Sequence, residues 1–433
     1  MSFARKPLLA FMFLMAAGLV FSKDILRIAP GTKAVTYGWA DVSGVYYQDK
    51  SNYIVIDDAS YPDPKAKRRA FTNAIASGSV ADGTVNSKGA FIVLKGTVDL
   101  SDGKVSIDDH SYFDEYDSET HKRIHGDFQY DVGSNKTIIG MEEARLCFGG
   151  LRIKADKKNP AVNVIIRNIE FFDVHGSPEY DISFPGYEKS KASADAISIE
   201  ATGGNGSRYA YIPSSIWIDS CSFSDGNCID WMNTYNHDGL IDVKAGKNIT
   251  VSYCSFTNHG KVMLLSPSDN YKECDERTIT IHHNYFHDGI QRTPRARGAC
   301  IHLYDNIFDY IGMSSKSGFA IGLGINTKAV IENNYFGHFG GNKSPLRFFD
   351  CSSSLNDDYI SKVYERGNNI NFTIENVTFD DSDKLKSFAC HSSEGSPFAI
   401  PYSYSNELQN IPQAYEKLIL QKNAGSGKRV MID

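Results

Sequence analysis

The chain is poor in several features that mark common protein classes. Lysine and arginine never gather into a long basic run, and the formal net charge is -7 over 433 residues. A nucleic-acid partner is therefore not expected. No two cysteines stand in CxxC spacing, which argues against a zinc ribbon. Beyond Phe21 no apolar run is long enough to cross a bilayer. Helical periodicity is scarce, and no polar linker is long enough to set off a second domain. What remains is 41% hydrophobic and 22% charged, the composition of a soluble globular protein.

The N-terminus has the layout of a secretory signal. Arg5 and Lys6 precede an apolar run from Pro7 to Phe21, and Val20 and Ser22 are small enough for cleavage before Lys23. Residues 1–22 are expected to be a signal peptide and residues 23–433 a single exported domain, extracellular and free of the membrane. Export permits disulfides among Cys147, Cys221, Cys228, Cys254, Cys274, Cys300, Cys351 and Cys390, with the pairing left open by sequence.

The second half of the chain contains a repeat. Phe171, Phe223, Phe256, Phe286, Phe308, Phe336 and Phe379 align as register marks. Five residues before them stand Ile166, Ile218, Val251, Ile281, Leu303, Ile331 and Ile374. Seven before stand Val164, Ile216, Ile249, Ile279, Ile301, Ala329 and Phe372. Mostly polar residues alternate with these, which is the pattern of a strand with one buried face. Two before the phenylalanine, the central copies carry Cys221, Cys254, Asn284, Asn306 and Asn334. Constant strands at irregular intervals mean one solenoid coil per repeat, with insertions in the loops. Stacked coils would bury a common core and let asparagines bond along a column. Cys221 and Cys254 fall on neighbouring coils of one column, close enough for a disulfide or for stacked thiols. Lys65 to Ser77 reads as a short helix before the strand Phe91-Ile92-Val93-Leu94, placed to cap the open end. The tail from Ser392, with Pro397, Pro401 and Pro412, is expected to pack outside the solenoid.

Several segments then match a family. Val93-Leu94-Lys95-Gly96-Thr97, Ser134-Asn135-Lys136-Thr137-Ile138-Ile139-Gly140 and Trp217-Ile218-Asp219 come first. Asp238-Gly239-Leu240-Ile241-Asp242-Val243, His282-His283-Asn284-Tyr285-Phe286 and Arg292-Thr293-Pro294-Arg295-Ala296-Arg297 follow. In this order, from about Phe91 to Phe336, the chain resembles the pectate lyases of the pectate lyase/pectin lyase family. The resemblance implies an all-β fold, a right-handed parallel β-helix with a short N-terminal capping helix. It implies Ca2+ as cofactor, polygalacturonate (de-esterified pectin) as partner, and a monomer.

Asp238 and Asp242 share one parity, so an extended segment projects both carboxylates from one face, and a hard cation takes such oxygens. The resemblance makes them calcium ligands, together with Asp195. Asp195 has the parity of the apolar Ile197, so it must lie on the turn before that strand. The match departs at Ser193, where many relatives carry a further aspartate, and at Ser220, where the signature expects histidine. Lys261 and Arg297 match the residues that bind a substrate carboxylate, Arg292 matches the catalytic arginine, and Lys244 is a further candidate for substrate binding. Arg295 has no role to carry over. Such a set suits β-elimination. Cations stabilise the enolate-like charge at a uronate C5 while a base takes its proton. An arginine base is ordinarily protonated, so an alkaline optimum is expected. His282 and His283 lie in the repeating strand and are expected to be structural.

Three other functions are compatible with parts of the sequence. A pectin lyase would act on methyl-esterified chains and lacks the calcium acids. A polygalacturonase needs an Asn-Thr-Asp segment that is absent, although His259-Gly260 is present. A non-catalytic wall-binding β-helix could share the fold without the chemistry.

Overall fold

The alternating segments become strands, and the strands stack in register. Val164, Ile216, Ile249, Ile279, Ile301 and Ala329 pair across successive coils, as do Ile166, Ile218, Val251, Ile281, Leu303 and Ile331. All are buried. Phe171, Phe223, Phe256, Phe286, Phe308 and Phe336 continue the order, with neighbouring ring centroids 4.8 or 4.9 Å apart and planes within 9° of parallel. That is the spacing of adjacent parallel strands, so the rings stack because their backbones do.

The computed structural model describes residues 36–42, 50–76, 89–103, 116–117, 122–123, 128–174, 194–225, 237–311, 319–337, 345–349, 359–368, 378–379, 391–404 and 424–426. Its strands form a right-handed parallel β-helix. One sheet of 16 strands wraps two faces, and a sheet of nine makes the third. The nine are β1 (Gln129–Asp131), β2 (Gly150–Lys154), β3 (Ile197–Glu200), β4 (Ile241–Val243), β5 (Met263–Leu265), β6 (Arg295–Ala296), β7 (Ile321–Leu323), β8 (Leu346–Phe348) and β9 (Thr378–Phe379). Residues 1–22 lie outside the described residues.

A one-residue corner joins the two faces of the larger sheet. Asn168, Ser220, Tyr253, His283, Asp305 and Asn333 occupy it, with φ from 51° to 58°. This left-handed conformation turns the chain sharply and is tolerated best by Asn and Asp. The next residue points inward, and there the asparagine ladder forms. Asn284 Nδ2 donates to Asn306 Oδ1 at 3.0 Å, Asn306 Nδ2 to Asn334 Oδ1 at 2.9 Å, and Asn334 Nδ2 to Asn368 Oδ1 at 3.1 Å. Each oxygen also accepts a backbone N–H from the coil before it, and each Nδ2 reaches a backbone carbonyl. Buried corner amides are thus satisfied one coil at a time. Cys221 and Cys254 hold the same column as free, buried thiols.

Helix α1 (Pro64–Ile75) begins where Asp63 accepts from Lys65 N and Ala66 N, with Pro64 in the first turn. Lys67, Phe71 and Ile75 recur every four residues on its buried face, and Phe71 and Ile75 join the core beside Ile92 and Leu94. The helix closes the apolar end of the solenoid, which would otherwise be open to water. In the tail, the Tyr402 hydroxyl lies 2.7 Å from Thr280 Oγ1 and from His302 Nδ1, and Phe398 stacks on Trp39, outside the larger sheet.

One reading of the sequence is revised. Phe379 is not a seventh member of the phenylalanine column; it pairs with Phe348 in β8, on the nine-stranded face. Ile374 and Phe372, aligned with it, lie outside the described residues. Separately, the family-signature aspartate, Asp219, is buried in a structural network. It accepts from Arg167 at 2.9 and 3.0 Å, Ser252 Oγ at 2.6 Å and Ser220 Oγ at 3.0 Å. Trp217 Nε1 donates to the same Ser252 at 2.9 Å.

The ladder makes a prediction. Asn306→Ala removes donors and an acceptor shared by two neighbouring coils and leaves their buried partners unpaired, so it should cost about 2–4 kcal/mol. Chemical denaturation of the variant against the parent measures this.

Candidate active site

The nine-stranded face carries one outward column through every coil. In register it reads Asp131, Arg152, Ser198, Asp242, Leu264, Arg295, Gly322, Arg347 and Thr378. Apart from Arg152, which pairs with Asp131, acids lie toward one end and arginines toward the other. The residues singled out in the sequence gather around its middle.

Asp242 stands in β4 between the inward Ile241 and Val243. Asp195 and Asp238 lie on the turns just before β3 and β4, as parity requires for Asp195. An oxygen from each of these three carboxylates lies within 4.8 Å of the others. Gly239 makes room for them: a Cβ there would meet Asp242 Oδ1 at 2.4 Å and Asp195 Oδ1 at 3.1 Å. Gly239 N donates to Asp195 Oδ1 at 2.8 Å, and Leu264 N donates to Asp242 Oδ1 at 3.2 Å.

Burial and crowding act together on this cluster. Burial first, then repulsion from Asp238, pushes the Asp242 carboxyl up to about 7. Burial, then Asp242 and Asp238, holds Asp195 well above the ordinary carboxylate range. Three converging carboxylate donors are the donor set of a hard divalent cation. Calcium takes six to eight oxygens, so three carboxylates leave positions for water and substrate. Ser193 lies outside the described residues.

The turn bearing Asp238 is clamped from beneath. His259 Nε2 donates to the Asp238 carbonyl at 2.9 Å, and its Nδ1 meets Asp225 Oδ2 at 3.0 Å. His237 Nε2 meets Asp225 Oδ1 at 2.7 Å, and its Nδ1 faces the Gly239 carbonyl at 3.3 Å. Burial alone would raise Asp225, but the two histidines overcome it and hold the carboxyl well below its usual range. Burial would lower His259, and Asp225 overrides that and raises it. His259 is therefore a buried prop for the turn that bears Asp238. Sequence reasoning noticed His259-Gly260 but missed the prop, because Asp225 arrives from a separate turn.

The cations occupy the next two coils. Lys261, at the end of the strand before β5, pairs with Asp238. Arg292 adopts φ 66°, and its backbone carbonyl accepts from Met263 N at 2.7 Å. It is close enough to Asp242 to oppose that carboxyl's upward shift, and its buried Nε has no hydrogen-bond partner. Arg297 donates to the Ser266 carbonyl at 3.0 Å and pairs with Asp269 at 3.0 Å. Asp269, which sequence reasoning missed, is 70% exposed and so can yield to another carboxylate. Lys244 is not among these bases: it lies on the acidic side, paired with Glu200 at 3.0 Å and near Asp195. His282 and His283 lie elsewhere. Their Nδ1 atoms are 2.9 Å apart, and their rings stack on Tyr304 and Tyr253.

A family model described as pectate lyase matches residues 21–429. This chain belongs to the pectate lyase family. Among curated pectate lyases, one from Bacillus subtilis is 34% identical over 47% of this chain, which spans 48% of that protein. A pectate trisaccharide-lyase from Thermotoga maritima is 37% identical over 41% of this chain and 40% of its own length. In these two matches the chain spans about half or less of the relative. Pectate lyase E of Dickeya dadantii is 26% identical over 94% of this chain and 91% of its own. Two solved structures share the fold. A Bacillus subtilis pectate lyase variant has TM-score 0.61 at 21% identity, covering 93% of this chain and all of that one. A pectate lyase bound to hexasaccharide has TM-score 0.62 at 21% identity, covering 93% and 99%.

The carboxylate cluster predicts a linked response to calcium and pH. Asp242 binds a proton more tightly folded than unfolded, so its contribution to stability declines as pH rises from about 4 to about 7. A divalent cation displaces that proton. Calcium should raise the melting temperature more at pH 8 than at pH 5, and Asp242→Asn should abolish most of the increase. Thermal unfolding with and without calcium at both pH values checks this.

Proposed function

We propose that this chain is an exported pectate lyase that cleaves polygalacturonate by calcium-assisted β-elimination to 4,5-unsaturated products. The observation that carries the reading is the meeting, on adjacent coils of one outward face, of three crowded carboxylates with Lys261, Arg292 and Arg297. Family membership supports the substrate class. The N-terminal charged and apolar segments support export.

Asp195, Asp238 and Asp242 would hold the calcium. Bound there, it supplies positive charge to the substrate carboxylate and makes the neighbouring C5 proton easier to remove. Lys261 and Arg297 receive the same carboxylate. To do so Lys261 turns from Asp238, and Arg297 exchanges the exposed Asp269 for the sugar. Arginine's planar fork suits a carboxylate with two parallel donors. Arg292, as the neutral guanidine that alkaline pH favours, takes the C5 proton and becomes the guanidinium. The electron pair left on C5 forms the C4–C5 double bond as the C4 oxygen departs with its sugar. No water enters the reaction. Asp225 and the two histidines keep the Asp238 turn in place throughout.

Polygalacturonate incubated with the protein should show rising absorbance from the unsaturated product, fastest at alkaline pH and abolished by EGTA. Arg292→Lys should lower kcat about a thousandfold, in the range set by losing proton transfer and its oriented charge. No absorbance at any pH overturns the lyase reading. Activity indifferent to EGTA overturns the role of calcium.

A further inference from the structure

Cys274 and Cys300 stand one coil apart in the chain and meet in space. Cys274 opens the short 3-10 turn Cys274–Glu276, which leads into the strand Arg277–His282. Cys300 opens the strand of the next coil, Cys300–Tyr304, and pairs with Thr278. The two backbones approach closely just before these residues. A Cβ on Gly298 would lie 2.4 Å from the Tyr271 carbonyl oxygen and 2.9 Å from the Lys272 carbonyl carbon, so glycine is required there. Arg277 is fully buried and fastens the approach. Its Nη1 donates to the Glu273 carbonyl at 3.4 Å and to the Gly298 carbonyl at 3.1 Å. The neighbours of both cysteines are thus held together, and the Cys300 thiol donates to the Cys274 sulfur.

That contact makes the two thiols unequal. The hydrogen bond from Cys300, opposed by burial and aided by Lys328, brings Cys274 down to about 6. Cys274 is also partly exposed. The same bond, then burial, pushes Cys300 up. One sulfur is therefore a reachable thiolate near neutral pH, and the other stands behind it with its proton. The other described cysteines lack this arrangement. Cys221 and Cys254 also touch, but both are fully buried and donate to backbone carbonyls. Burial, then the hydrogen bond with Cys221, holds Cys254 well above the ordinary thiol range. Cys147 is buried and donates to the Val98 carbonyl.

We infer that Cys274 and Cys300 form a disulfide that closes one coil of the solenoid into a covalent ring. Arg292, Arg295 and Arg297 lie between them in the chain, so the ring is the coil that bears the arginines of the site. The oxidant is a second disulfide, of a protein or of glutathione, in the compartment through which the chain is exported. The Cys274 thiolate attacks one sulfur of that donor and releases the other as a thiolate. Cys300 loses its proton, attacks the Cys274 sulfur and displaces the second donor thiolate. Two thiols give up two protons and two electrons, and one donor disulfide takes them. Formation in the cell rests on the proposed export; the pairing of these two thiols does not.

Trypsin separates the two cysteines into residues 273–277 and 298–316, with one cysteine in each peptide. The full chain is reduced, held in a glutathione redox buffer, alkylated and digested without reductant. Mass spectrometry should find these two peptides joined, two hydrogens lighter than their sum. Two separately alkylated peptides, or either one joined to a different cysteine, overturn the pairing. The same digest of protein taken from expressing cells separates the two readings. If the pair forms in buffer while the cellular chain keeps residues 1–22 and both thiols, export fails and the pairing stands. Cys274→Ser and Cys300→Ser should each lower the melting temperature of the oxidised protein by about 4 °C. The double variant should lose no more than either alone, and additive losses overturn the bond. If a variant does not fold, the peptide map of the parent decides.

Discussion

In-register stacking of parallel coils is the constraint on which everything else rests. Each coil places its backbone one strand spacing from the last, so a residue type kept at one position becomes a continuous column. Inside, the phenylalanine column from Phe171 to Phe336 and the asparagine column from Asn284 to Asn368 are two outcomes of this rule. The first buries apolar area. The second satisfies buried corner amides that neither water nor a strand ladder can reach. Outside, the same rule arranges charge. Because Asp242, Arg295 and Arg347 share one column, their order along the solenoid follows from their order in the chain.

The charge pattern on that face is polarised. Asp195, Asp238 and Asp242 crowd together at one place, and four arginines crowd together a few coils on. In isolation each group is unfavourable, and the two are only partly joined by the Lys261–Asp238 pair. A cation relieves the first group and an anion the second. A uronate chain with a bound divalent ion is both at once, so under the proposed function an acidic protein would hold an acidic polymer.

Much of this could be read in the sequence, for reasons that also explain the rest. Period-two alternation and a recurring aromatic identified the coil, and parity put Asp238 and Asp242 on one face and Asp195 on a turn. Alternation is the same on every face of a solenoid, however, so it could not say that Phe379 belongs beside Phe348 rather than above Phe336. Lys244 has the parity of Asp242, yet parity does not reveal that Glu200 on the previous coil engages its ammonium. Asp225 and Asp269 act through contacts between coils whose loops differ in length. No local pattern marks such contacts.

Stacking alone does not fix the metal-site acids, because Asp195 and Asp238 lie on turns and not in strands. A turn carrying mutually repelling carboxylates would open to separate them unless something held it. The hold comes from below and from the side. His259 and His237 tie the carbonyls of Asp238 and Gly239 to Asp225, and the Gly239 amide is bound to Asp195 itself. These bonds join two turns from neighbouring coils into one unit, which sets how closely the acids approach. The repulsion is built in during folding, when the core supplies the free energy to hold it. Under the proposed function, a bound cation would release that repulsion.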